Sequence, residues 1–140
     1  MTVSHAIRDV PEGPGAYAIV ITLTRPLDLR LPRRAGVTLR PGRYVYCGSA
    51  YGPGGLRARI GRHLRKTKPI RWHVDRITAA GTITAVNAAP GGNECALLAK
   101  VLAVPGSSAP VPGFGSSDCR RCPAHLAAVP DDFDLNALGL

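Results

Sequence analysis

The chain has 140 residues, a length suited to one domain with a single core, and its 18 Lys plus Arg against nine Asp plus Glu give a formal charge of +9 and a pI near 10.1. No apolar stretch approaches the ~20 residues that span a bilayer, and the start MTVSHAIRDV lacks a signal-peptide core. A membrane protein is therefore not expected, a cytoplasmic one is, and the four cysteines are expected to be reduced.

Residues 1–14, with Pro11, Gly13 and Pro14, read as an irregular lead-in. AYAIVITL, Ala16 to Leu23, is a β-branched apolar run and predicts a strand buried on at least one face. Leu27, Leu29 and Leu31 alternate before a turn at Pro32 to Gly36, and Val37 and Leu39 resume the pattern, which predicts a short hairpin. RYVYCG is the next strand, closed by Gly48. GSAYGPGG then interrupts regular structure, and Leu56, Ile60 and Leu64 at i, i+4 and i+8 mark an amphipathic helix running to Lys66.

RWHVDRIT reads as a second short helix or a strand, and GTITAVNAA as a further strand. Asn93 is placed as the N-cap of a helix from Glu94 to about Ala103. VPGSSAPVPGFGSS is a Pro/Gly/Ser loop, and residues 128–140 read as an acidic peripheral tail. The order of elements points to an α+β or α/β single domain over residues 15–127, with a small mixed sheet flanked by helices.

Charge is concentrated as well as abundant. Eight of the 18 bases lie between Arg57 and Arg76, whereas Asp131, Asp132 and Asp134 hold three of the nine acids. A basic face releases counterions when it neutralises phosphates, so nucleic acid is the expected partner, with Arg57, Arg62, Arg65, Lys66, Lys68 and Arg71 its contacts.

Tyr44 and Tyr46 point to one face of their strand, Val45 and Cys47 to the other. Tyr44 reads as packing, while Tyr46 stands at the strand end beside Gly48, where side chains border a loop. The glycine-rich loop fits neither GxxxxGK[ST] nor GxGxxG, and reads as a corner that brings the helix start near Tyr46. On that helix Arg59 and His63 fall one turn apart on an edge of the apolar stripe, with Arg62 and Arg65 further out. Glu94, one of only two glutamates, falls within the inward arc of its helix, where a carboxylate must cap, pair or bind a metal.

Cys119, Cys122 and His125 form C-x-x-C-x-x-H beside Asp118. The second ligand pair of a structural zinc site is missing, although Cys47, Cys95 or His73 could add to it, so structural zinc is not expected.

GAY at Gly15 to Tyr17, YCG at Tyr46 to Gly48, Leu56-x-x-Arg59-x-x-x-His63 and Glu94 together resemble the GIY-YIG nuclease superfamily. The stretches RWHVD, NECALL and PGFGSSDCRRCPAHL resemble a little-characterised branch of it, sometimes fused to endonuclease III-type repair enzymes. The resemblance covers Gly15 to about Leu126 and implies a small central, mainly antiparallel sheet flanked by helices. It implies Tyr46 as general base or water-orienting residue, Tyr17 beside it, Arg59 stabilising the phosphorane, His63 assisting, and Glu94 holding one divalent cation, Mg²⁺ or Mn²⁺.

His73, Asp75, Asp118, Cys119, Cys122 and His125 are left as supporting or structural positions. The 28 residues between the two triplets, Ala18 to Val45, require an inserted hairpin. The expected function is metal-dependent endonuclease-like hydrolysis of DNA, in preference to RNA, in repair or processing, with a protein partner supplying specificity. The alternatives are a non-catalytic nucleic-acid-binding module of the same fold and a small zinc-bound interaction domain.

Overall fold

The structure, a computed structural model, describes residues 10–29, 37–70, 73–110 and 125–135. Its strands are β1 (Gly15–Leu23), β2 (Leu27–Leu29), β3 (Val37–Leu39), β4 (Gly42–Ser49), β5 (Thr82–Pro90) and β6 (Leu126–Val129). Its helices are α1 (Gly55–Leu64), α2 (His73–Ala80) and α3 (Glu94–Leu102). A four-stranded sheet of order β5-β1-β4-β6 has antiparallel neighbours throughout. The inserted hairpin forms a separate two-stranded sheet, Leu27 opposite Leu39 and Leu29 opposite Val37.

β1 is central, and that explains its composition. The expectation of one buried face is exceeded: Ala16, Tyr17, Ala18, Ile19, Val20 and Ile21 are all buried, because helices cover both sides of the sheet. Odd positions meet one core, with Tyr17, Ile19 and Ile21 against Leu56 and Ile60 of α1 and Val74 and Ile77 of α2. Even positions meet the other, with Ala16, Ala18 and Val20 against Leu97, Leu98 and Val101 of α3. Each buried aliphatic contributes up to ~1.5–3 kcal/mol. Tyr44 packs in the first core as expected, its hydroxyl donating to the Arg40 carbonyl at 2.6 Å.

The described part of RWHVDRIT, from His73, is helix, and Asn93 caps α3 as read, its Oδ1 accepting from Ala96 N at 3.0 Å. β6 was not anticipated. Its four residues pair with β4 from Arg43 opposite Val129 to Tyr46 opposite Leu126. The tail expected to be peripheral is instead docked: Phe133 and Leu135 are buried in the second core, and Arg43 Nη1 donates to the carbonyls of Asp131 and Phe133 at 2.7 and 2.8 Å. The acids of that tail mask two apolar anchors spaced too far apart to show a period.

The basic helix also differs from its reading. Arg62, expected on the solvated side, forms a fork to the fully buried Asp75 of α2, with Nη1 to Oδ1 at 2.6 Å and Nη2 to Oδ2 at 2.9 Å. This hydrogen-bonding raises the Arg62 pKa further. Lys68 donates to the carbonyls of Arg62 and His63 at 3.2 and 2.9 Å, satisfying the end of α1. Lys66 donates to the Gly81 carbonyl, and Arg57 pairs with Glu12 at 2.8 Å. Arg65 is exposed, and Arg71 lies outside the described residues. Much of the basic cluster therefore ties α1 to the chain around it.

Removing one partner of a buried ion pair strands the other charge. Arg62→Ala is expected to destabilise the protein by about 3–5 kcal/mol in urea denaturation. Replacing both Arg62 and Asp75 by Met and Leu is expected to cost less than that single change.

Candidate functional site

Three of the four expected catalytic side chains meet under α1. β1 and β4 pair with Tyr17 opposite Gly48 and Ile19 opposite Tyr46, so both phenols lie on the same face of adjacent strands. Their ring centroids are 6.3 Å apart. A Cβ on Gly48 would collide with the Tyr17 ring and hydroxyl, so glycine at this position makes the space the phenol fills. The signature's last glycine thus serves a side chain on the neighbouring strand.

His63 comes from α1 to complete the cluster. The Tyr17 hydroxyl and His63 Nε2 share a 2.6 Å hydrogen bond, and the His63 ring lies 5.4 Å from Tyr17 and 5.8 Å from Tyr46. Expected at the edge of the apolar stripe, His63 is instead only 1 % exposed. α2 packs along α1 and turns that edge into interior. Arg59, one turn earlier, is half-buried as read.

Burial dominates the electrostatics. It raises the Tyr17 pKa well above the ordinary phenol range, the neighbouring Tyr46 adding to the effect. It pushes Tyr46 up to about 12, with Arg59 opposing the shift and Glu94 reinforcing it. It pulls His63 down to about 3, and the cations Lys68, Arg62 and Arg59 act in the same direction. The resting cluster is therefore two protonated phenols and a neutral imidazole, with Arg59 as the charge that favours a phenolate. Cys47, on the opposite face, is held as a thiol by burial, its pKa raised to about 12.

Glu94 opens α3 and is half-buried. It does not join the phenol cluster directly. Its carboxylate stands beside Cys95 and His125, where one ligand atom from each of the three lies within 4.8 Å of the others. His125 links the two groups: it precedes β6, its carbonyl accepts from Cys47 N at 2.9 Å, and its ring centroid lies 6.5 Å from that of Tyr46. Burial lowers its pKa, with Glu94 opposing. These residues fit a divalent cation, since a carboxylate and a buried imidazole whose Nε2 has no hydrogen-bond partner among the described residues lie together.

The spacing of Cys119, Cys122 and His125 singled out His125, whose metal-capable neighbours among the described residues are Glu94 and Cys95. β6 pairing brings them together, and no sequence period reports that. Cys95 is disulfide-bonded, which corrects the expectation of four reduced cysteines; Cys47 is a free thiol. Spacing along the chain did not reveal it, because proximity in the fold decides which thiols meet. Asp118, Cys119 and Cys122 lie outside the described residues, and His73 begins α2.

The start of α1 is partly satisfied by the backbone. Gly55 N donates to Gly52 O at 3.2 Å and Leu56 N to Gly13 O at 2.9 Å, which leaves fewer amides for a phosphate than a bare helix start offers. A cleft beside it is lined by Glu12, Pro14, Tyr51, Arg57 and Ala58, and none of Tyr17, Tyr46 or His63 reaches it.

The depressed His63 pKa has a sign that can be tested. Between about pH 6.5 and 3 the unfolded chain binds a proton that the folded chain refuses, so this contribution is complete above pH 6.5 and is lost as pH falls. Stability measured by urea denaturation is expected to fall by up to ~1.4 kcal/mol per pH unit on this account. His63→Gln, compared with wild type over the same range, is expected to remove that part of the slope.

No curated protein and no solved structure matches this sequence. A family match spans nearly all of it, residues 16–138, and takes in both strands of the phenol pair, α1, Glu94 and the strand that carries His125 into place. On that match the chain belongs to the family described as "Domain of unknown function DUF123".

Proposed function

We propose that the protein is a metal-dependent phosphodiesterase acting on DNA, in repair or processing in the cytoplasm. The observation that carries this reading is the position of Tyr46, half-buried at the end of β4, its ring 5.8 Å from that of His63, one turn after Arg59 on α1, and 6.5 Å from that of His125 beside Glu94. A phosphate oxygen developing negative charge needs a fixed cation, and a half-buried arginine supplies one with little reorganisation. The GIY-YIG resemblance assigns the same residues to the same chemistry. No helix among the described residues is long and apolar enough to cross a membrane.

Each side chain has a task consistent with its environment. The Tyr46 phenol keeps its proton in the resting protein, so it presents an O–H that orients the attacking water; it could take a proton only after ionising to the phenolate, which the Arg59 charge favours against burial. Arg59 would face the developing charge. Tyr17 and His63, neutral and bonded to each other, hold the wall behind Tyr46 and exclude water. Glu94, with His125 beside it, would hold a divalent cation, which when bound polarises the phosphate and stabilises the leaving oxygen. The exposed bases, Arg65 among them, would supply salt-sensitive contact with the backbone of the nucleic acid.

Plasmid nicking, together with cleavage of branched and abasic duplexes in Mg²⁺ or Mn²⁺, tests the reading. Arg59→Ala is expected to slow cleavage by ~10²–10³-fold and Tyr46→Phe by ~10²–10⁴-fold, with Glu94→Ala reducing it to background. If wild type and Glu94→Ala behave identically on every substrate, the catalytic role is lost. Salt-dependent DNA binding without cleavage would assign the chain a binding role instead.

A further inference from the structure

The group around Glu94 has a donor set that a hard cation does not need. Mg²⁺ takes oxygen ligands and keeps much of its water. Here a carboxylate oxygen, a sulfur and an imidazole nitrogen lie within 4.8 Å of one another, from residues 94, 95 and 125. That is the mixed set of a borderline-soft ion, zinc above all. His125 points independently to a ligand. It is only 7 % exposed, and its Nε2 is buried with no hydrogen-bond partner among the described residues, a costly condition unless something occupies it.

The sulfur is not available in the state described, because Cys95 is held in a disulfide. Intracellular disulfides are commonly transient and redox-sensing, and a metal ligand must be a thiolate.

We propose that Glu94, Cys95 and His125 form a zinc site that exists only in the reduced protein. A dithiol reductant breaks the Cys95 disulfide by exchange: it is oxidised to its own disulfide, and its two electrons and two protons leave one thiol on Cys95 and one on its partner. As the zinc–sulfur bond forms, the Cys95 thiol releases its proton to solvent. Three protein ligands leave a fourth position for water or a phosphate oxygen, the pattern of zinc sites that act on substrates. The Tyr46 ring, 6.5 Å from that of His125, borders the site. Oxidation removes the sulfur and returns Glu94 to a site suited to a hard cation. The site shares Glu94 and His125 with the hydrolytic reading but does not rest on it.

The test uses the full chain freed of metal, either reduced with a phosphine and desalted without oxygen, or oxidised with glutathione disulfide. Cobalt(II) titration followed by thiolate-to-cobalt charge-transfer absorption reads the sulfur ligand directly, and zinc affinity is read by competition with a chromophoric chelator. The reduced chain is expected to bind a single ion and show the band. The oxidised chain is expected to lack the band and bind at least ~10-fold more weakly.

Cys95→Ser is expected to abolish the band. His125→Asn and Glu94→Gln, which leave the cysteine in place, are each expected to weaken reduced-state binding at least ~10-fold. Circular dichroism checks that each variant is folded, and His125→Asn keeps the test decisive if Cys95→Ser is not. Failure of the reduced chain to bind, binding that ignores the redox state, or binding unaltered by His125→Asn overturns the proposal. Because binding is measured without DNA, a negative result here leaves Mg²⁺-dependent nicking standing, and absence of nicking leaves the zinc site standing.

Discussion

The pairing of β1 with β4 places Tyr17 opposite Gly48, and the candidate site depends on that one register. The missing Cβ of Gly48 lets the Tyr17 phenol lie across the backbone of β4 and reach His63 on α1, so sheet and helix are joined at the point where Tyr46 emerges. A slip of β1 by one residue would turn Tyr17 to the face covered by α3, away from Tyr46, and leave the small residues of β1 beneath α1. The two cores resist such a slip, since Tyr17, Ile19 and Ile21 fill one and Ala16, Ala18 and Val20 admit the close approach of α3 in the other.

Desolvation, more than any ion pair, gives the cluster its chemical character. It opposes charge on every titratable group it reaches, keeping the phenols protonated and His63 neutral. Arg59 is the counterweight, acting on both tyrosines to favour the phenolate. A phenol in such surroundings positions a water more readily than it takes a proton from one, which distinguishes two roles that a sequence signature leaves merged.

The neighbouring group of Glu94, Cys95 and His125 obeys different chemistry, because its donors include a sulfur whose availability depends on redox state. On the two proposals, two kinds of metal demand would meet at one carboxylate. The basic cluster is likewise divided in use. Arg62 neutralises the buried Asp75, Lys66 and Lys68 satisfy carbonyls, and Arg57 ties down the lead-in at Glu12 and the Val10 carbonyl. A sequence charge count weighs these residues equally with Arg65, although only their surroundings separate structural from surface charge.

Local signals carried the elements well. Periodicity marked β1, β4 and α1, and Asn93 marked the start of α3, because side-chain period and capping act over a few residues. The α+β class and the sheet flanked by helices followed from their order, as did Tyr44 as packing and Arg59 as half-buried. What the residues could not express locally came from pairing across the chain. β6 is four residues long and exists because β4 offers an open edge; Phe133 and Leu135 are buried because that strand delivers them to α3; His63 is interior because α2 lies beside α1. The sequence by itself determined which segments fold and which side chains can do acid–base or metal chemistry. Only the tertiary structure decided which of them meet, because desolvation, strand register and the proximity of Cys95 to His125 are set by residues dozens of positions apart.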